Sequence, residues 1–427
     1  MSLSRHRDFR LLFVGQGVSR LGDGLYTAAI AWLAWSLTHQ PGAVALVTAA
    51  AYGPTFMTTL IGASYADRYD RRRLMIATDV VRAVVVAITP LLLALDVLNI
   101  TLLVAAVALL SLVGAPFAPA RNAIVPEIVP AERLLEANGL LQVAFRAAFF
   151  VGPLLVAPLL AVASLELVLA LDVLTFLASA ATLAAIDTRP SARSQEPVGL
   201  RADLAAGLAA VRAQPDVLIV IATFVLALLA ASGFLTVGVV ALVGEGLAGN
   251  GGDYGLLLGI AGVAEVLGAV ALARLRLRDL ALTAVLAWAL LGAFRLPLGL
   301  AETPVVAGVL LGMTGFASAL TDIPLIALAQ QRIPDRHLAK ALGLWEAGIA
   351  GALAISPFVA AATIEHVGVR SAFMLSGAAL IALAATAAVT LRRVSAGPAG
   401  HGAPPLVNRH DLADGELGQL ECVGCVG

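Results

Sequence analysis

Hydrophobic residues run in long uninterrupted blocks along this chain, and the polar residues collect between them. Twelve blocks are long enough to cross a bilayer, which takes roughly 20 mostly apolar residues. They lie at 11–37, 42–66, 74–97, 100–120, 137–162, 165–186, 216–243, 253–273, 280–300, 304–329, 341–364 and 369–391. Backbone groups surrounded by hydrocarbon must bond within their own segment, so the pattern predicts twelve membrane-spanning helices and an all-α membrane protein. The block at 11–37 follows Arg5, Arg7 and Arg10 as a signal peptide would, but it is too long for a signal sequence and is read as a retained first span. The longest internal polar stretch, 187–215, contains Leu, Ala and Arg at helical spacing over 199–213 and predicts a short interfacial helix. The expected organisation is a six-helix half over 1–186, a linker over 187–215, a second six-helix half over 216–392 and a disordered tail over 393–427.

Composition strengthens this picture. Of 427 residues, 60% are hydrophobic and 13% charged, too little polar surface to cover a water-soluble particle. The net charge of −1 offers no basic field for nucleic acid. Lys340 is the single lysine and is followed by Ala341, so a Gly-Lys-Ser/Thr phosphate loop is absent and any pumping must draw on a gradient or a partner. The six histidines show no metal-ligand spacing, and no nucleophile–base constellation marks an enzyme or a resident cofactor. Cys422 and Cys425 stand at the end of a Gly/Pro-rich tail, where a lone Cys-x-x-Cys pair is a weak metal signal.

The arginines orient the chain. Of 27 Lys and Arg residues, 22 fall in the N-terminal segment, the even-numbered gaps and the tail; one, Arg370, falls in the odd-numbered gaps; Arg20, Arg82, Arg146 and Arg295 lie within spans. The positive-inside rule places both termini in the cytoplasm. Segments 62–74 and 268–280 share five of 13 positions at an offset of 206, and 128–140 and 332–344 share five of 13 at an offset of 204. Matches in corresponding gaps at nearly one offset point to duplicated halves in parallel orientation, as in transporters built from repeats.

The chain resembles the major facilitator superfamily over residues 5–392. That family carries Gly-x-Leu-Ala-Asp-Arg-x-Gly-Arg-Lys after span 2. Here Ala63-Ser64-Tyr65-Ala66-Asp67-Arg68-Tyr69-Asp70-Arg71-Arg72 keeps the Asp-Arg and the basic pair, with Gly62 one position early and Asp70 in place of the second Gly. Asp70, residues 9–30 and 120–130, and Gly152-Pro153 are similar to a macrolide-efflux-like and enterobactin-exporter-like branch. The resemblance implies a bacterial inner-membrane exporter, with spans 1, 4, 7 and 10 lining a cavity, spans 2, 5, 8 and 11 at the interface of the halves, and the remaining spans outside. Its expected partners are a small-molecule substrate, protons and the lipid bilayer, and the expected state is a monomer.

A charge at mid-membrane costs roughly 2.5–3.5 kcal/mol on insertion scales, so each needs a partner or a task. Asp23 falls about 18 Å into span 1, near the midplane. With Arg20 one turn away and Arg146 on an interface span, it is either the carrier of a coupled proton or half of a permanent salt bridge. Glu265, Asp322 and Glu346 give the second half an acidic character without counterparts in the first, since the repeat offsets place Thr59, Ala118 and Gln142 there. That asymmetry suits a cationic or amphipathic substrate or a second protonation site; Glu346 is also placed to cap loop arginines. Asp79 and Arg82, three residues apart, read as a structural pair, and Asp172 and Arg295 on outer spans take the same reading. Candidate cavity aromatics are Tyr26, Trp32, Trp35, Tyr52, Phe149, Phe234, Phe316 and Trp345, with Tyr26 on the face of Asp23. Gly62, Asp67, Arg68, Asp70, Arg71 and Arg72 form a loop suited either to gating between the halves or simply to holding the loop inside.

The leading expectation is proton-coupled export of an amphipathic molecule such as a drug, antibiotic or siderophore-like metabolite. The alternatives are proton-coupled uptake or lipid translocation and, from another class, a sensor or scaffold acting through the Cys-bearing tail.

Overall fold

The computed structural model describes residues 6–61, 70–130, 133–187, 200–272, 274–275 and 277–396. The loop residues Gly62, Asp67 and Arg68 and the tail with Cys422 and Cys425 lie outside the described residues.

The described chain is nearly all helical. Helices α1 (Arg7–Thr38), α2 (Pro41–Ile61), α3 (Arg71–Ala94), α4 (Ile100–Gly114), α5 (Phe117–Ile128), α6 (Leu134–Val162) and α7 (Leu165–Ala184) precede the stretch 188–199. After it come α8 (Leu200–Arg212), α9 (Pro215–Gly233), the short α10 (Val239–Ala241), α11 (Gly251–Leu272), α12 (Leu280–Arg295), α13 (Pro304–Arg332), α14 (Asp335–Val367) and α15 (Val369–Ala396). Among the described residues, nine helical segments are long and apolar enough to cross a membrane. Three further long helices, α1, α2 and α6, run to 32, 21 and 29 residues. Gln16, Ser19, Arg20 and Asp23 interrupt the apolar character of α1.

Sequence chemistry sets the ends. Asn99, Ser164, Asp279 and Thr303 cap α4, α7, α12 and α13 by accepting a backbone N–H three residues on. Gly368, at φ 77°, closes α14, and α15 begins at the next residue; a side chain is disfavoured in that left-handed conformation. The helices commonly outrun the apolar blocks, since a helix does not stop where the hydrocarbon does: α14 covers 335–367 where the block covers 341–364. The fourth block is divided, α4 ending at Gly114 and α5 starting at Phe117 beyond Pro116, which has no N–H to continue the ladder. The seventh contains two π-type turns, Phe234–Gly238 and Leu242–Gly246, on either side of α10.

Helices on each side of the 188–199 stretch pack mainly with one another: α1 with α6 and α7, α3 with α7, α11 with α13, and α12 with α13 and α15. Two seams join the sets, α2 against α14 and α6 against α11. The core divides accordingly. At the end away from the arginine-rich loops, one cluster runs through both sets, from Trp35, Val44 and Leu103 to Val240, Tyr254 and Phe373. At the arginine-rich end there are two separate clusters, one around Leu12, Met75 and Ile124, the other around Phe224, Trp288 and Trp345. The helix α8 lies at this end against α14, with Gly207 close to the Lys340 backbone. Large apolar side chains such as Val84 and Leu174, each 61% exposed, stand on the outside, as a lipid-facing surface requires.

Gly152 marks a close approach of α6 to α1. A Cβ there would stand 2.7 Å from the Leu25 nitrogen and 2.8 Å from Gly24. Gly152→Val therefore costs about 1–3 kcal/mol by overpacking, read as a lower melting temperature in detergent. Gly139→Ala on the same helix, where a Cβ meets nothing within 4 Å, does not lower the melting temperature, and helix propensity favours it by up to about 1 kcal/mol.

Candidate functional site

Between the two sets of helices lies a cavity lined from both sides. From α1 come Gly24, Thr27, Ala28, Ile30 and Ala31, and from α2 Val47, Thr48, Ala51 and Tyr52. Opposite them stand Leu235 and Thr236 from the first π-type turn, Tyr254, Leu258, Ala261, Gly262 and Glu265 from α11, Leu291 and Arg295 from α12, and Thr314, Gly315 and Ser318 from α13. The wall is apolar with scattered hydroxyls and one charge of each sign, a lining suited to an amphipathic guest. The π-type turn is where the helix ladder shifts register, and it brings Leu235 and Thr236 to the wall.

Beyond α1, away from the cavity, is an ionic cluster. Arg82 Nη2 of α3 donates to Asp23 at 2.7 Å, and Arg20 Nη1 donates to the same carboxylate at 3.3 Å. Arg82 also stands 4.0 Å from Asp79 and lays its guanidinium 4.1 Å from the centre of the Phe176 ring of α7. Asp79 and Asp172 are fully buried. Asp172 accepts from Thr175 Oγ1 at 2.8 Å and faces Gly22, where any side chain on α1 would overlap the carboxylate. Arg121 of α5 and Arg20 both stack on Phe145, at 4.4 and 5.4 Å from the ring centre. Three carboxylates and three guanidiniums from α1, α3, α5 and α7 thus share one neighbourhood. The pairing expected within α3 is shared between helices, because Asp23 offers Arg82 a shorter contact than Asp79 does.

The cluster and the cavity meet on α1. Gly24, next to Asp23, lines the cavity, and Thr27, also on the cavity wall, donates its hydroxyl to the Asp23 carbonyl at 2.7 Å.

The other residues singled out by the sequence lie as follows. Tyr52 and Glu265 are on the cavity wall. Tyr26 is buried with its hydroxyl 3.4 Å from Thr89 of α3, so it faces the cluster side of α1. Phe234 packs on Phe373 at 5.6 Å, and Trp345 on Phe224 at 5.4 Å inside the second core. Trp32 stacks on Tyr254 at 6.2 Å across the joint between the two sets, while Trp35 closes on Gly244 beside it. Phe316 is 40% exposed on the outer side of α13, Asp322 is half-buried on the same helix, and Glu346 is exposed on α14. Arg146 and Phe149 lie on α6, and their side chains lie outside the described residues. The α4 and α5 residues do not reach the described cavity wall, whereas α2, α11 and α12 do. Sequence reading missed Tyr254 and the hydroxyls of Thr27, Thr48, Thr236, Thr314 and Ser318 as wall residues; an aromatic or a threonine in a span is indistinguishable by pattern from a packing residue. It also set Arg295 aside as structural and left Arg82 out of the Asp23 site.

The described part of the gating-loop motif acts within the N-terminal set. Asp70 caps α3 through Arg73 N at 2.8 Å. Arg71 donates to Glu127 at 2.6 Å and to the Ala123 carbonyl at 3.1 Å, and Arg72 holds the carbonyls of Leu183 and Ala184 at the end of α7.

Two sets of helices around a cavity, with buried charges beside it, form a layout that membrane transporters use. The chain matches the transmembrane secretion effector family over residues 2–410 and belongs to it. It is 25% identical to macrolide efflux protein A of Streptococcus pyogenes over 181 residues, 42% of this chain and 44% of that protein. It is 28% identical to the multidrug efflux pump Tap of Mycobacterium bovis over 137 residues, 31% of this chain and 33% of the pump. The matched stretches thus span less than half the length of these relatives. Among solved structures, the nucleoside transporter NupG superposes with a TM-score of 0.69 at 13% identity, covering 90% of this chain and 99% of that one. A bacterial homologue of the human lysosomal transporter Spinster superposes with a TM-score of 0.67 at 12% identity over 91% and 97%. These likenesses are of fold.

Proposed function

We propose that the protein is a twelve-helix secondary transporter that exports an amphipathic small molecule in exchange for protons, by alternating access between two six-helix halves. One observation carries the reading: the cores of the two sets are fused at one end and separate at the other, with the cavity between them. Two bodies closed over a central cavity at one end form one of the two states that alternating access requires. The arginine-rich end faces the cytoplasm under the positive-inside rule, and the reading is of a multi-pass, monomeric inner-membrane protein with both termini inside. Export fits the efflux relatives, whose names state macrolide and multidrug efflux.

Asp23 is the coupling residue of this reading, and Arg20 and Arg82 are its ion-pair partners. Glu265 in the cavity wall is the second acid, and Arg146, Asp322 and Glu346 act in the opposite state. The loop over Gly62, Asp67, Arg68, Asp70, Arg71 and Arg72 closes the cytoplasmic end in that state. Everted vesicles energised to an acidic interior test the proposal. Addition of an amphipathic compound that is a substrate releases protons to the medium, followed with a pH-sensitive dye. A panel of macrolides and amphipathic dyes giving no release in vesicles that hold the protein argues against proton-coupled export.

A further inference from the structure

Arg295 is the cavity's basic group, and its setting differs from that of the arginines in the ionic cluster. It is 6% exposed at the end of α12 and reaches the cavity wall. Nη1 donates to the Ala231 carbonyl of α9 at 3.0 Å and to Ser376 Oγ of α15 at 3.3 Å. Ser376 in turn donates to the Ala230 carbonyl at 2.8 Å. These contacts fix the guanidinium from two neighbouring helices, but they are neutral. Among the described residues no carboxylate pairs with Arg295, in contrast to Arg82 and Arg20, which share Asp23. A guanidinium has five donors in a planar fork, and Nη1 alone is engaged by these contacts. A buried charge without a counter-charge is expensive, and an anion that docks on it recovers that cost.

We infer that Arg295 is the anchor for an anionic group of the substrate, so that the cavity takes an amphiphile carrying a carboxylate or a similar planar oxyanion. Deepening the transport reading and resting on it, this inference sharpens the substrate class. The apolar wall takes the body of the molecule, and Glu265 on the same wall accommodates a positive group, so a zwitterion fits as well as an anion. Charge-assisted, bidentate-capable recognition is what an arginine fixed in this way supplies. The anchor is preorganised: Ser376 and Ala231 hold it before the ligand arrives, so little ordering remains at binding.

The probes are a carboxylate-bearing rhodamine and its methyl ester, which share the same cationic ring system and differ in one negative charge. Their binding to the purified full-length protein in detergent is followed by fluorescence polarisation, which needs no proton gradient and no transport. Wild type binds the free acid about tenfold more tightly than the ester. Arg295→Gln brings the ratio to about one by weakening the acid alone, Arg295→Lys keeps part of the preference, and Ser376→Ala keeps the charge and most of it. If Arg295→Gln fails to fold by gel filtration, the Lys and Ala variants carry the test through their acid-to-ester ratios. An acid-to-ester ratio of one in wild type, no binding of the acid by wild type, or a ratio unchanged in Arg295→Gln overturns the assignment. Dye binding with the expected ratio but no proton release in vesicles upholds the anchor and removes the proton-coupled reading.

Discussion

Asp23→Asn abolishes substrate-dependent proton release from everted vesicles, while the protein folds and reaches the membrane in normal amount. Asparagine is close in size to the carboxylate, and its one carbonyl oxygen keeps the 2.7 Å hydrogen bond from Arg82 while the more exposed Arg20 turns to solvent. The guanidinium of Arg82 keeps Asp79 at 4.0 Å as a second counter-charge, so no buried arginine is stranded. What the variant loses is the ionisable carboxylate that the proposed coupling requires. Substrate binding persists, because Asp23 is off the cavity wall and only its neighbour Gly24 and the next turn at Thr27 reach it. The check is proton release and substrate affinity measured on one preparation. Release at the wild-type rate in the Asn variant makes the Asp23 pair structural and moves the proton to Glu265 or Asp322.

The second large effect is on stability. Arg82→Ala removes the cation that, among the described residues, touches both Asp23 and Asp79 and covers the Phe176 ring. Asp79 and Asp172 are fully buried, and removing one partner from a buried ionic network leaves uncompensated charge, at a cost of about 3–5 kcal/mol. The folded protein yield and the melting temperature in detergent both fall. Arg82→Lys recovers only part, since an ammonium can neither lie flat on Phe176 nor bridge two carboxylates in the geometry of a guanidinium. Arg82→Met combined with Asp79→Asn and Asp23→Asn recovers part of the stability, because the two carboxylates that Arg82 touches are then neutral, while Arg20, Arg121 and Asp172 remain charged neighbours. An Arg82→Ala protein as stable as wild type shows that the cluster is hydrated in a way that makes the pairs unnecessary.

These two expectations separate roles that a sequence alone mixes. On one helix, α1, one face carries the proton reading and another lines the substrate cavity, and Asp23 and Gly24, adjacent in the chain, stand on different sides of that division. The apolar blocks predicted the helices because hydrocarbon leaves backbone groups no partner outside their own helix, and that constraint is local. The blocks at 74–97, 165–186 and 369–391 therefore correspond to α3, α7 and α15 with shifts only at the ends. The caps at Asn99, Ser164 and Thr303 are local in the same sense. Pro116, by contrast, interrupts a block that hydropathy alone reads as continuous.

The membrane character, the helical blocks, the acid at the depth of Asp23 and the absence of a phosphate loop were determined by the sequence itself, because each rests on the chemistry of a short stretch. Which arginine meets Asp23, which aromatics reach the cavity, and that Arg295 stands in its wall were decided only by the tertiary structure. Rotation of a helix by one residue moves a side chain about 100° around the axis, and in a chain whose spans are apolar on every face no amphipathic stripe records that rotation. Tyr26 and Thr27 are adjacent in sequence, yet one meets Thr89 of α3 and the other the cavity. The packing of α1 against α6 and α7, set by Gly22 and Gly152, fixes that rotation, and with it the separation of the charged cluster from the cavity.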